Sequence, residues 1–309
     1  MNNFWTKLLK PFSVLAPMEN VTDFVFREIV STLLPKPDVL FTEFTNVDAL
    51  TSDGYQKTIH RFKFSKNQKP IVAQIWGTNP DHFEKSAQIA EKLGFDGIDI
   101  NMGCSVRAVI KIGACSALIN NRPLVADIIK SAKKGSTKLP ISVKTRIGFK
   151  DIITEDWITF LLEQKIDALT IHGRTAKQMS DVPANWNEIK KAVEIRNSIS
   201  PDTIIIGNGD AKNQSDILEK HSKYGVDGVM VGRGIFSNPW IFEKIEKEHG
   251  FDDYKKVLLK HLEMYDNTMH FDKLKKFFKM YINNFEGAGA LRAKLMETKS
   301  VSEALLILK

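Results

Sequence analysis

Cysteine is scarce in this chain: Cys104 and Cys115 are the only two among 309 residues. That scarcity excludes a disulfide framework and suits a reducing compartment. The two lie too far apart for a C-x2–4-C pair and no H-E-x-x-H is present, so no metal site is expected. The same spacing argues against a C-x-x-C redox pair. Also missing is any apolar run approaching the roughly 18 residues of a membrane span. The opening stretch, MNNFWTKLLKPFSVLAP, has no long apolar region followed by a small-residue cleavage site. Neither a membrane nor a secretory route is expected, and the chain reads as cytoplasmic.

What is present is a soluble globular composition, 43% hydrophobic and 26% charged, long enough for a barrel-sized domain with an appendage. The formal charge of +7 and pI near 9.1 permit a polyanionic partner without requiring one. Eight short β-branched and aliphatic runs recur along the chain. They cover Phe12 to Pro17, Val39 to Phe44, Pro70 to Gly77, Asp96 to Asn101, Pro140 to Arg146, Asp167 to Gly173, Thr203 to Gly209 and Asp227 to Arg233. Several are apolar throughout, as parallel strands covered on both faces should be. Between them lie amphipathic segments. One opens on Asn79, Pro80 and Asp81 and closes on Gly94, and another carries Ile189, Ala192 and Val193 at helical spacing. Eight such units predict an α/β fold, a (β/α)8 TIM barrel with its site at the carboxyl ends of the strands. An open doubly wound sheet fits less well, because no G-x-G-x-x-G follows the first run.

The strand pattern stops after about Pro239, so residues 1–242 are assigned to the barrel and 243–309 to a small helical domain. There Leu274, Phe277, Phe278, Tyr281, Ile282 and Phe285 fall on one helical stripe, the expected seam of a bundle. The basic residues from Lys273 to Lys294 form either a solvated face or an RNA-facing surface.

Unusual residues collect at the strand ends. The first run ends in Pro17 and Met18, the third carries Gln74, and the fourth leads into Asn101, Gly103 and Cys104. The fifth holds Lys144 and Arg146, the sixth ends in His172, Gly173 and Arg174, and the last two end in GNGD (Gly207 to Asp210) and VGRG (Val231 to Gly234). Glycine turns after the seventh and eighth strands, with Arg233 beside them, suit a phosphate. An inward lysine is costly to bury unpaired, so Lys144 is expected to form a Schiff base or to donate to an electron-rich cofactor ring. His172 is a satisfied rim histidine, a cofactor donor or a proton-transfer group.

The stretches APMENVTDFVFRE, VAQIWGTNP, GFDGIDINMGC, ISVKTRIGF, IHGRTAKQ, IIGNGD and GVMVGRGIFSNPWIF together resemble the tRNA-dihydrouridine synthases, closest to the bacterial DusB-like group. These are FMN-dependent enzymes that reduce uridine in RNA, usually tRNA. The resemblance runs in order from Pro11 to about Phe242 and continues more weakly through YINNFEGAGALRAKLM. It implies that Pro17, Met18 and Glu19 border the flavin ring, Gln74 bonds its pyrimidine edge and Lys144 neutralises charge near it. His172 would also touch FMN, and Asn208, Gly209, Asp210, Gly232 and Arg233 would hold its phosphate. Asn101 and Arg174 would serve the substrate, and Cys104 would be the proton donor. NADPH would reduce the flavin, hydride would reach carbon 6 of the uracil, and carbon 5 would take the proton. A thiol with an ordinary pKa of about 8.5 is mostly protonated at neutral pH.

The chain departs from the family pattern in four places. Ser105 follows the cysteine where proline is usual, Cys115 stands where a small residue is usual, Glu19 replaces a common alanine, and Ala176 replaces a frequent basic residue. Cys115 reads as a small apolar filler. A monomer acting on tRNA is the expectation. The alternatives are ribosomal RNA as substrate, a flavin-dependent reductase of a free pyrimidine or enone, a Schiff-base aldolase using Lys144, and a non-catalytic RNA-binding protein.

Overall fold

The computed structural model describes residues 3–265, 271–283 and 285–308. Its strands are β1 (Phe12–Leu15), β2 (Leu40–Phe41), β3 (Thr45–Asn46), β4 (Ile71–Trp76), β5 (Gly97–Met102), β6 (Ile141–Arg146), β7 (Ala168–His172), β8 (Ile204–Asn208) and β9 (Gly228–Val231). All pair in parallel, in the order β1-β9-β8-β7-β6-β5-β4-β2, with β3 on β4. A parallel bridge from Val14 to Val39 closes the ring, with Leu15 N–H donating to Val39 O at 3.1 Å and Val39 N–H to Ser13 O at 3.2 Å. The chain is therefore a closed parallel α/β barrel with a helical C-terminal region.

The second run is the exception to the eight-strand reading, because it splits into β2 and β3. Between them Thr42 Oγ1 accepts the Gln74 N–H at 3.1 Å, and the Glu43 carboxylate accepts the Asn20 N–H at 2.6 Å. These side-chain bonds interrupt the ladder beside the loop that follows β1.

Side chains alternate across each strand, so residues two apart share a face. The inner face is apolar low in the barrel, where Phe12, Val14, Phe41, Val72, Ala168, Ile204, Ile206 and Met230 form one buried cluster with Trp5. A Cβ on Gly228 would lie 2.4 Å from the Phe12 ring, so that strand position accepts only glycine. Toward the carboxyl ends of the strands the inward residues turn polar: Gln74, Asn101, Lys144, His172 and Asn208. The outer faces pack against helices. The helix Pro80–Leu93 starts on an Asn79 cap and ends at Gly94 with φ 81°. The helix Trp186–Ile199 buries Ile189, Ala192 and Val193.

After β9 come the helices Phe251–Tyr265, Ala288–Glu297 and Val301–Leu308. The predicted continuous stripe is corrected here. Leu274, Phe277, Phe278, Tyr281 and Ile282 are buried, but on 3-10 turns (Phe271–Lys273, Lys275–Phe277) followed by a single helical turn, Phe278–Tyr281. Asn283 ends that turn by donating Nδ2 to the carbonyls of Lys279 (3.1 Å) and Met280 (2.7 Å). Residues 266–270 and 284 of this segment lie outside the described ones. Tyr265 Oη donates to Asp23 Oδ2 at 2.7 Å, and Phe277 stacks on Phe26 at 4.9 Å. The helical region thus shares its apolar core with the barrel. Among the described residues no helix is long and apolar enough to cross a membrane.

Candidate active site

Cys104 sits on the loop leaving β5, and one chain of hydrogen bonds fixes that loop. Ser142 Oγ donates to Asp99 Oδ1 at 2.6 Å, and Gln74 Nε2 donates to Asp99 Oδ2 at 2.7 Å. Because the carboxylate only accepts, Gln74 must turn its carbonyl the other way, where it takes the Asn101 Nδ2–H at 3.0 Å. Asn101 then presents its own carbonyl to the N–H groups of Gly103 and Cys104, both at 3.0 Å. The orientation of every amide in the relay follows from one carboxylate. Asp99 is fully buried, and burial lifts its pKa to about 6 against the opposing pull of Ser142, Gln74 and Lys144. Sequence reasoning missed Asp99. Its signal was a charged residue in an apolar strand, two positions before Asn101 on the same face.

From the other side Arg146 braces the same loop. Its Nε donates to Gly103 O at 2.7 Å, its Nη1 to the carbonyls of Thr175 and Met179 at 3.0 Å, and its Nη2 to Ser105 Oγ at 3.4 Å. Lys144 Nζ donates to Asn208 Oδ1 at 3.1 Å, and Asn208 Nδ2 in turn bonds Met230 O at 2.8 Å. Burial beside Arg146 lowers the Lys144 pKa to about 8, so the ammonium still carries its charge at neutral pH. His172 is pushed down to about 2, first by burial and then by Lys144, Arg146, Arg174 and Arg233. Its imidazole is neutral, and Arg174 Nη1 at 3.1 Å makes its Nε2 the acceptor.

Arg174 is 4% exposed, and its guanidinium is engaged within the rim. It forks onto both oxygens of Asp210 at 2.7 Å. Burial raises the Asp210 carboxyl, but Arg174 and the Ala184 N–H outweigh it and hold it below its usual range. Gly209 has φ 132°, and a Cβ there would lie 2.6 Å from Ala184 and 3.5 Å from His172 Cδ2, so the turn requires glycine. Gly232 differs. An added Cβ would meet only Ala16 Cβ at 3.8 Å and Met18 Sδ at 4.0 Å, so nothing within the chain requires glycine there. Arg233 is exposed and makes no side-chain hydrogen bond or close ion pair among the described residues, though its charge also pulls the Asp210 carboxyl down. Pro17 and Met18 line the β1 edge of the opening, half-buried. Glu19 is turned aside into a bidentate pair with Arg61, at 2.6 and 2.8 Å.

One expectation about cysteine changes. Cys115 is fully buried in a small apolar cluster against which Cys104 packs. Interaction with the neighbouring Cys115 thiol is the largest influence on the Cys104 pKa. With the Val106 N–H, Arg146 and Lys144 it overcomes burial and brings the Cys104 pKa down to about 6, while Cys115 is pushed up. The Cys104 thiol is therefore more acidic than an ordinary one, and the expectation that it is mostly protonated at neutral pH is corrected.

The model of the family described as "Dihydrouridine synthase (Dus)" matches residues 14–309. A Staphylococcus aureus protein described as a probable tRNA-dihydrouridine synthase is 44% identical over 313 residues, covering 99% of this chain and 94% of its own. A Bacillus subtilis protein described as probable tRNA-dihydrouridine synthase 2 is also 44% identical, covering 99% of this chain and 95% of its own.

Proposed function

The chain belongs to the dihydrouridine synthase family, and we propose that it reduces the 5,6 double bond of uridines in tRNA, with FMN in the barrel mouth and NADPH as the reductant. The observation that carries this reading is the position of Cys104, held by the Asn101 amide at the rim where Lys144, Asn208 and neutral His172 converge. The residues present fit a flavin phosphate. Gly232 leaves open the space a Cβ would fill, and Arg233 beside it is an exposed cation whose guanidinium makes no side-chain hydrogen bond among the described residues. Asn208, Gly209 and Asp210 complete that side of the opening. FMN, when bound, supplies the hydride that adds to carbon 6 of the uracil.

The chain's own residues account for the rest. Gln74 and Lys144 offer N–H donors to the pyrimidine edge of the ring, and the Lys144 charge favours an anion there. Lys144 acts as a cation here rather than as a Schiff-base nucleophile, because it is mostly protonated at neutral pH. Asn101 uses one Nδ2 hydrogen on Gln74, which leaves the other for a uracil oxygen. Cys104 is the acid that gives carbon 5 its proton, and because its pKa is lowered to about 6 the protonated thiol is the minority form at neutral pH, so reduction should slow as pH rises above about 6. A uridine must leave its stack to reach this opening, at a cost of about a few kcal/mol. Phosphate contacts from exposed Lys273, Lys279 and Lys294 offset that cost.

The test is mass spectrometry of tRNA and ribosomal RNA from cells with and without the gene. Loss of dihydrouridine from tRNA is expected. Loss from ribosomal RNA alone would move the substrate, and no loss from either would favour reduction of a free pyrimidine or enone. The purified protein should be yellow, and a preparation that FMN cannot reconstitute would overturn the cofactor assignment.

A further inference from the structure

We propose that Arg61 is a positioning residue for the loop after β1: its guanidinium fixes Glu19 directly and Asn20 through Glu43, and it keeps the Glu19 carboxylate from standing as a free negative charge beside the flavin. The proposal rests on the reading of Pro17 and Met18 as the flavin border and deepens it. Arg61 comes from the 3-10 turn Ile59–Phe62, in the connection between β3 and β4. Its Nη2 and Nη1 donate to Glu19 Oε1 and Oε2 at 2.6 and 2.8 Å, and Nη1 also reaches Phe44 O at 3.4 Å. The same Nη1 lies 3.9 Å from Glu43 Oε1, the oxygen that accepts the Asn20 N–H at 2.6 Å. Two consecutive residues of the loop are thus held by one planar fork.

Asn20 sits at φ 58°, a left-handed conformation that a residue other than glycine keeps where its surroundings impose it. Glu43 is 6% exposed, and burial raises its carboxyl against the pull of Arg61. Other cations feel these carboxylates without bonding them among the described residues. Arg27 spends its N–H groups on Gln68 and on the carbonyls of Thr22 and Lys63, and Lys276 lies over the Phe277 ring. Thr22 Oγ1 accepts the Met18 N–H at 2.9 Å, which carries the position of the turn to Met18. Met18 in turn reaches across the mouth: its Sδ is 4.0 Å from the point that a Cβ on Gly232 would occupy. Arg61 and Glu19 keep 24% and 34% of their side chains exposed, so their pair adds little to stability. What it sets is where the loop lies and where the Glu19 charge points.

The experiment measures the FMN dissociation constant, and hydrogen exchange over residues 17–23 without FMN, in the full chain and in Arg61→Met, Glu19→Ala and the double variant. Arg61→Met frees a carboxylate beside an anionic ligand and should weaken FMN about tenfold. Glu19→Ala should weaken FMN about twofold in the wild-type background, through loss of one partly exposed tie. In the Arg61→Met background the same substitution removes the free charge and should tighten FMN instead. An arginine that merely supported the fold would give no such reversal of sign. Exchange over residues 17–23 should quicken about tenfold in Arg61→Met and in the double variant, and less in Glu19→Ala. Additive losses of FMN affinity, with wild-type exchange in every variant, would overturn the proposal. If Arg61→Met fails to fold, Arg61→Lys, which keeps the charge but not the fork, should still quicken exchange, and a wild-type rate there would overturn the clamp. Faster exchange with unchanged FMN affinity would instead remove this loop from the flavin border and leave the clamp on Glu19 and Asn20 standing.

Discussion

The two ends of the barrel are both rich in charge, but they settle it in opposite ways. At the amino ends, each of four aspartates just ahead of one strand accepts a backbone N–H from the neighbouring strand. Asp38 takes Ser13 at 2.7 Å, Asp96 takes Ile71 at 2.8 Å, Asp167 takes Ile141 at 2.8 Å and Asp227 takes Ile205 at 2.7 Å. Cations close two of these sites further. Lys69 lies 3.2 Å from Asp96, and Lys10 and Arg196 lie 2.7 and 2.8 Å from Asp227. At the carboxyl ends Lys144, Arg146, Arg174 and Arg233 gather around Asp99 and Asp210, while Glu19 and Glu43 are taken up by Arg61, and Arg233 makes no side-chain hydrogen bond among the described residues. A floor whose charges are matched internally contributes stability. A mouth with exposed cationic charge suits the anionic ligand proposed for it.

Substitutions at the two ends should therefore separate activity from stability. The largest effect belongs to the mouth. Cys104→Ala should reduce uridine about 10²–10⁴-fold more slowly while keeping its melting temperature, its FMN and its affinity for tRNA. Wild-type turnover by that variant would remove Cys104 from the chemistry. At the floor, Asp227→Ala leaves Arg196 buried without its carboxylate and frees the Ile205 N–H. It should cost about 3–5 kcal/mol, read as a shift of the denaturant midpoint, with turnover per folded molecule unchanged. A floor variant that lost activity without stability would break the division.

Much of this was legible in the sequence because barrels repeat. Parallel strands read as apolar runs, and period-two alternation brings Asn101, Lys144, His172 and Asn208 to one rim. The floor aspartates were visible too, as the first residues of the runs at Asp96, Asp167 and Asp227, but nothing local says that such a residue caps the next strand over. Asp99 was lost for a similar reason: its partners Gln74 and Ser142 come from different strands, and only closure of the sheet joins them. The C-terminal stripe gave five of its six residues correctly as buried, with Phe285 half-buried beyond the turn, but on short turns rather than one helix, since Asn283 ends the last turn through a side-chain bond that periodicity does not register.

A smaller effect tests the cationic surplus itself. Lys144 loses its charge as pH rises through about 8, whereas a guanidinium in water does not. The FMN dissociation constant should therefore rise severalfold between pH 7 and pH 9 in wild type. In Lys144→Met it should be weaker at pH 7 and nearly flat. Arg233→Ala should weaken FMN about tenfold or more at both pH values, as expected for loss of one charge-assisted hydrogen bond. If Lys144→Met retained the wild-type slope, the titrating group would lie elsewhere in the mouth.

The smallest effect concerns Ser105, where the family usually has proline. Its hydroxyl accepts from Arg146 at 3.4 Å, near the limit of a useful hydrogen bond, while Arg146 also holds three carbonyls at 2.7 to 3.0 Å. The loop is thus fixed from below by Asn101 and from the side by backbone contacts, neither of which needs the Ser105 side chain. Ser105→Ala should change uridine reduction by less than about threefold, equivalent to the loss of one weak hydrogen bond. Arg146→Met should slow it far more, because the Gly103 carbonyl loses its partner and the Cys104 thiolate loses its nearest strand cation. Equal losses in the two variants would mean that the hydroxyl, rather than the guanidinium, holds the cysteine loop.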